Sequence, residues 1–315
     1  IYPHPVKKIN LIETKHSWIS LTGQYAYKIK KPVNLQFLDC ITLTKRKAVL
    51  ENEFRVNKPF NSLLYLGIVP LTEQRGVFRF GGKGKIVEYA LKMKEIPQSS
   101  NLLFRLESGQ VAKKDIIRVA RTIAKIHKRL PSKPWMRQYA SLKNIHSRFN
   151  TYFPLLYKEA VPTPVPKELF QQFKKITQAM RRALRPIFLD RQSKSQPIHG
   201  DFDPKNIFIR NNETHIIDVL DFKREWHYGD PAIDMANFLV HLEAREKNKF
   251  ADIFLRTYLS LTKDKSMKIV LPYYKLSWAI GHIWFWTSLY KEQKKSLFKS
   301  RAALYKKLAT RLAMT

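Results

Sequence analysis

His199-Gly-Asp-Phe-Asp-Pro-Lys-Asn206 leaves the apolar lead-in Gln196-Pro-Ile198 and runs directly into Ile207-Phe-Ile-Arg210. The polar turn Asn211-Asn-Glu213 follows, then a second apolar run that ends in acids, Thr214-His-Ile-Ile-Asp-Val-Leu-Asp-Phe222. Two β-rich runs joined by a short polar turn spell a hairpin. Around it stand Asp201, Asn206 five residues on, and Asp218 twelve beyond that. A lone His-Gly-Asp is an ordinary strand-to-loop turn with solvated acids. Here the loop, the spaced Asn and a hairpin closing on Asp218 coincide, and a motif in its structural context outranks a bare string.

Phosphoryl transfer from ATP needs this set of side chains. One carboxylate accepts the proton of an attacking hydroxyl. An amide oxygen and a second carboxylate are hard donors that hold Mg²⁺ against a triphosphate.

Outward from the hairpin, the chain changes character once. The first hundred residues read as strands with one helix. Trp18-Ile-Ser-Leu21 and Tyr25-Ala-Tyr-Lys-Ile-Lys30 form a hairpin about Thr22-Gly-Gln24. Strand alternation places Lys28 and Lys30 on one face. Thr44 to Asn57 reads as a helix with Thr42 or Thr44 as N-cap and Pro59 beyond its end. Leu64 to Pro70, Val77 to Phe80 and Ile86 to Lys92 are further strands, with Gly81-Gly82-Lys83-Gly84 as a tight hairpin turn. After Met93-Lys-Glu-Ile-Pro97 the pattern turns helical. Lys113 to Leu130 carries Ile116, Ile117, Ala120, Ile123, Ala124 and His127 at core spacing. Pro162, Pro164 and Pro166 punctuate a loop, and Glu168 to Leu189 is again helical. The expected architecture is α+β in two lobes. Residues 1–95 form a small β-rich nucleotide-binding lobe, and 96–315 a larger, mainly helical lobe with the catalytic loop and acceptor site.

Composition limits the class. A 315-residue chain with 44% hydrophobic residues is globular. A single cysteine, Cys40, permits no internal disulfide and fits a reducing compartment. The opening Ile1-Tyr-Pro-His-Pro-Val6 has no charged-then-apolar leader. Tyr273 to Tyr290 is interrupted by Lys275 and His282, so it reads as a buried aromatic helix, not a membrane span. These features point to a cytoplasmic protein. The 58 Lys and Arg against 25 Asp and Glu give a net charge of +33, a field that draws polyanions. Lys113 to Lys143 holds ten basic residues and one acid, and Lys291 to Arg311 eight and one. Both lie on helical patterns and read as solvated faces. Nucleic acid would then bind through non-specific charge only.

With these residues in view, the chain resembles the aminoglycoside phosphotransferase and choline kinase superfamily, which shares the two-lobed protein-kinase-like fold. Its nearest likeness is an uncharacterised bacterial branch described only as aminoglycoside-phosphotransferase-like. The closer match rests on His4-Pro-Val6, Leu21-Thr-Gly-Gln-Tyr-Ala-Tyr-Lys-Ile-Lys-Lys-Pro32, Phe37-Leu-Asp39 and Leu64-Tyr-Leu-Gly-Ile-Val-Pro70.

The resemblance implies an ATP- and Mg²⁺-dependent kinase acting on a hydroxyl of a small molecule: a sugar, an aminoglycoside or an amino alcohol. It implies Asp201 as catalytic base and Asn206 and Asp218 as metal ligands, with Asp221 as an alternative or second ligand. Asp203 would be a supporting or acceptor-binding acid. Lys28, with Lys30 as alternative, would contact the α- and β-phosphates, paired with Glu53 or, failing that, Glu51. No Gly-rich loop is present, so the turn Glu13-Thr-Lys-His-Ser17 would meet the phosphates through Thr14 and Ser17. Backbone groups of the strand and hinge from Glu88 to Ile96, among them Lys94 and Ile96, would hydrogen-bond adenine. His199 and Asp234 would support the catalytic loop, and His127 would be a satisfied core histidine. Asp230 would be an N-cap followed by Pro231. Two readings from other classes stand beside this one: a nucleotide-binding regulatory module without turnover, and a basic nucleic-acid-binding protein on a kinase scaffold.

Overall fold

A computed structural model describes residues 1–35, 38–150 and 166–314. Phe37, Pro162 and Pro164 of the sequence reading therefore lie outside the described residues. The chain divides into two compact units. One comprises Ile1–Gly109 and Lys205–Lys223, the other Gln110–Pro204 and Arg224–Thr315.

The first unit is built on an antiparallel sheet. Its strands are β1 (Asn10–Glu13), β2 (Ser17–Leu21), β3 (Tyr25–Lys30), β4 (Tyr65–Gln74), β5 (Val77–Phe80) and β6 (Lys85–Lys94). They lie in the order β1-β2-β3-β6-β4-β5. Helix α1 (Leu43–Asn57) is capped by Thr42, whose hydroxyl accepts the Lys45 N–H at 3.3 Å. Leu50 of α1 packs with Leu64, Tyr65 and Leu91, while Tyr27, Phe80 and Ala90 form a second apolar cluster with Tyr2 and Tyr25 at its border. A short helix α2 (Leu102–Glu107) precedes the unit boundary. The hairpin read from the sequence is present as β7 (Ile207–Arg210) and β8 (Glu213–Ile216). Its turn residues Asn211 and Asn212 have φ of 49° and 63°, the two left-handed positions that a two-residue turn of this hand requires.

One turn differs from the sequence reading. Gly81–Gly84 does not close a hairpin, because β5 pairs with β4 and not with β6. The tight hairpin is Arg75-Gly76, both at positive φ (52° and 77°), and the Gly81–Gly84 segment carries the chain past β4 to β6. Glycine is needed there for close approach. A Cβ on Gly84 would stand 2.4 Å from the Glu73 carbonyl oxygen.

The second unit is helical. It holds α3 (Lys113–Arg129), α4 (Leu142–Asn150), α5 (Lys167–Ala183), α6 (Arg185–Arg191), α7 (Ala232–Ala244), α8 (Asn248–Thr262), α9 (Met267–Gln293) and α10 (Ser296–Ala313). The single helix expected over Glu168–Leu189 is two, because Pro186 ends α5 and opens α6. Helix α7 is buried along most of its length and packs against α8, α9 and α10. The expected aromatic helix is the middle of α9. Among the described residues no helix is long and apolar enough to cross a membrane.

Candidate active site

In the first unit, strand period two sends Lys28 and Lys30 to one face of β3, and both side chains are buried. There they share one acid. Lys28 Nζ lies 2.6 Å from Glu53 Oε1 and Lys30 Nζ 2.7 Å from Oε2. Burial opposes the Lys28 charge, but Glu53 outweighs it and raises the ammonium above the ordinary lysine range. Burial likewise opposes ionisation of Glu53, and the two lysines override it, so its carboxyl stays below the usual range. Glu51 instead faces solvent beside Lys47.

Lys28 also reaches Asp218 Oδ1 at 3.3 Å. The Asp218 side chain is 59% exposed, and the Lys28 charge holds its carboxyl down at about 2. Its backbone is left-handed, with φ of 65°, a conformation that costs energy in a residue bearing a Cβ. A clamp fixes it. The Tyr65 hydroxyl accepts the Asp218 N–H at 3.2 Å, and Asn57 Oδ1 accepts the Val219 N–H at 2.9 Å. Tyr65 in turn donates to Asn57 Oδ1 at 2.9 Å, and Asn57 Nδ2 donates to the Glu53 carbonyl at 2.9 Å. Sequence reasoning missed Asn57 and Tyr65, since their partners lie about 150 residues away along the chain.

Asp221 is different. Its side chain is buried, its carbonyl accepts from Asn52 Nδ2 at 2.8 Å, and burial, then the Glu53 charge, push its carboxyl up to about 7. Asn206 is buried at the open end of the β7–β8 hairpin. Its carbonyl accepts the Ile217 N–H at 3.0 Å, so pairing sets it one step from Asp218. Among the described residues no three acids, histidines or cysteines converge as a metal cage.

The turn before β2 is closed by its own groups. Thr14 Oγ1 donates to the Ser17 carbonyl at 3.0 Å and accepts the Ser17 N–H at 2.9 Å, and the Ser17 side chain is fully buried. His16, which the sequence did not single out, packs edge-on against Phe222. Burial, then Lys30 and Lys28, lower its pKa to about 4, so the ring is neutral. At the end of β6, the Lys94 N–H is taken by the Leu64 carbonyl at 3.0 Å and the Glu95 N–H by the Gln24 carbonyl at 3.0 Å. No described group takes the Ile96 N–H.

In the second unit, Asp234 binds the loop that carries Asp201. Its carboxylate accepts the His199 N–H at 2.7 Å and the Gly200 N–H at 2.9 Å. His127 supports that acid, with Nε2 at 3.4 Å from Asp234 and Nδ1 at 2.8 Å from the Tyr258 hydroxyl. His199 Nδ1 accepts the Asp201 N–H at 3.3 Å. Asp203 is buried with Oδ2 3.1 Å from His241 Nε2. Asp230 accepts the Ala232 N–H at the start of α7 and binds the buried Arg191 through both oxygens, at 2.7 and 2.6 Å.

The model of the phosphotransferase enzyme family matches residues 89–268. Uncharacterized proteins of Mycobacterium tuberculosis and Mycobacterium bovis are each 22% identical over 276 residues, which is 86% of this chain and 54% of theirs. The chain thus spans about half the length of these relatives. Among solved structures, the microcompartment-associated aminopropanol kinase superposes with a TM-score of 0.59 at 11% identity, over 96% of this chain and 91% of that one. A choline/ethanolamine kinase family protein from Mesorhizobium loti gives 0.57 at 12%, over 98% and 88%. Glucosamine kinase, in complex with glucosamine, ADP and inorganic phosphate, gives 0.55 at 13%, over 98% and 77%. These likenesses identify the fold, and it is the kinase-like α+β fold expected.

Proposed function

Since the chain belongs to the phosphotransferase enzyme family, we propose that it transfers the γ-phosphoryl group of ATP to a hydroxyl of a small molecule, with Mg²⁺. The observation that carries this reading is the Lys28–Glu53 pair aimed at Asp218, an open, ionised carboxylate held on left-handed backbone. An uncovered acid kept ionised beside a buried lysine suits charged phosphates and their counter-cation.

The donor set fits Mg²⁺. An amide oxygen on Asn206 and the Asp218 carboxylate are hard ligands, and Mg²⁺ commonly takes few protein ligands and fills the rest of its shell with phosphate oxygens and water. Asp218 is the better donor of the two acids, because Asp221 is buried and protonates near neutrality. Bound there, the cation would offset charge on the phosphate oxygens. Lys28, kept charged by Glu53, binds the α- and β-phosphates. Thr14 and Ser17 shape the turn over them, and the Ile96 N–H with the Lys94 carbonyl meets the adenine edge. Asp201 accepts the proton of the acceptor hydroxyl as its oxygen bonds to the γ-phosphorus and the bond to the β,γ-bridging oxygen breaks.

The acceptor in this reading is neutral or anionic. Asp230 is neutralised by Arg191, Glu243 by Lys275 at 2.7 Å and Glu246 by Lys307 at 2.7 Å. These three acids are engaged, and Glu225, exposed on the surface, is left as a single acid that offers little to a polycation. The decisive experiment is a thermal shift with ATP, GTP and ADP, with and without Mg²⁺, on wild type and Asp218→Ala. Acceptor-dependent ADP release by wild type and Asp201→Asn follows it. A Mg²⁺-dependent ATP shift absent from Asp218→Ala is expected. No shift with any nucleotide sinks the reading.

A further inference from the structure

We propose that the first unit carries a second ligand site, bordering the adenine edge of the one above, which binds the phosphate group of a small organic phosphate. The site is a cavity of about 420 Å³ where the end of β6 meets the tip of the β7–β8 hairpin. Cavities of this order hold small metabolites, whose sites run from roughly 300 to 1,000 Å³.

Two cations line it, Lys94 and Arg210. Among the described residues neither has an ion-pair partner. Two carboxylates line it as well. Glu95 accepts the Gly23 N–H at 2.7 Å, and Glu213, largely exposed, stands 3.7 Å from His215. Both cations act on the half-buried His215 ring. Burial lowers its pKa first, the Glu213 charge works the other way, and Arg210 and Lys94 then add to the lowering. Arg210 and Lys94 thus face one hollow without an ion-pair partner among the described residues, and an anion bound there would be attracted to both.

A phosphate monoester matches this arrangement. Its two charges answer the two unpaired cations, and a guanidinium forks onto two phosphate oxygens. The Tyr25 ring and Leu63 supply a wall for the organic body. Glu95 leaves acceptor capacity for a ligand hydroxyl or amine.

Ile96 and Lys94, whose backbone meets the adenine edge under the proposed function, also border this cavity, but its strand side chains lie on the other face of the sheet from Lys28. Lys94 lies directly opposite Tyr25, and Lys28 opposite Leu91. Tyr25 and Lys28 are three residues apart on one strand, so their side chains take opposite faces. Tyr25 and Lys94 line the cavity from the face that Lys28 does not use.

The test is thermal shift and calorimetric titration with inorganic phosphate and with glycerol 2-phosphate, at ionic strength fixed with potassium chloride. A saturable response in wild type is expected, weakened at least tenfold in Arg210→Met and in Leu63→Trp. The first removes one cation; the second fills the cavity with all charges kept, at a side chain that is 60% exposed. Both variants are expected to bind ATP as wild type does. The response should also persist with ATP saturating. No saturable response in wild type, or one unchanged in both variants, overturns the site, since the latter is diffuse attraction to a chain of charge +33. Displacement of phosphate by ATP also overturns it, because the cavity would then be part of the nucleotide site.

Discussion

Asn237 Nδ2 donates to Asp201 Oδ1 at 3.4 Å, while His282 Nε2 holds the Asn237 amide oxygen at 2.8 Å. The second bond fixes which end of the amide faces Asp201. His282 is itself stacked on Tyr305 at 4.6 Å and on Trp278 at 5.6 Å, so the amide rests on an aromatic stack from α9 and α10. Under the proposed function Asn237 positions the base.

Asn237→Leu should therefore lower kcat by roughly tenfold to a hundredfold, the usual cost of losing a group that orients a functional side chain. KM for ATP should stay near wild type. Asn237→Asp sets a second carboxylate beside Asp201, and like charges raise carboxyl pKa values. The acid limb of its pH–rate profile should move up. Rate profiles of both variants are the check, and an unmoved limb in Asn237→Asp would leave Asn237 with packing alone.

Glu53 holds two lysines whose side chains are 9% and 1% exposed. Glu53→Gln leaves the buried Lys30 without its carboxylate and Lys28 with Asp218 alone, which should cost about 3–5 kcal/mol. Glu51→Gln, on the exposed side of the same helix, should stay within about 0.5 kcal/mol of wild type. Urea denaturation of the three proteins decides. A small loss in Glu53→Gln would mean that water reaches the lysines.

How much of this was legible in the sequence depends on the range of the interaction. The β7–β8 hairpin, the Thr42 cap and the shared face of Lys28 and Lys30 are local, and period and turn chemistry reveal them. Strand β1 was not legible, because all four of its residues are exposed and no alternation marks it. Between Arg75-Gly76 and Gly81–Gly84, glycine content cannot choose the hairpin. The pairing of β5 with β4 chooses it, and pairing is a tertiary fact. The Asn57–Tyr65 clamp joins α1 and β4 to residues 218 and 219, and no pattern along the chain encodes that contact.

Asp221 makes the metal-free protein less stable as pH rises. Its folded pKa, about 7, lies above the ordinary aspartate value of 3.8, so the native state binds more protons between those values. Where the native state holds the extra proton, stability falls with increasing pH, and the loss is complete above the folded pKa. Asp221→Asn removes the titration. Relative to wild type, the variant should gain stability between pH 5 and pH 8. Denaturation midpoints at both pH values test this, and an equal difference at both would remove Asp221 as the titrating group.

Arg191 binds two acids at once, Asp230 at 2.7 and 2.6 Å and Asp264 at 2.8 and 2.9 Å, and its side chain is 1% exposed. Arg191→Met strips the cation and leaves two carboxylates facing one apolar side chain, with Lys194 near Asp264 as the remaining charge. The loss at neutral pH should reach about 3–5 kcal/mol, the cost of orphaning buried charge. Protonation discharges carboxylates, so the deficit should shrink as pH falls toward 4. Urea denaturation of wild type and variant at pH 7 and pH 4.5 reads both quantities. A deficit independent of pH would place the cost in lost packing of the arginine stem instead of in the stranded acids.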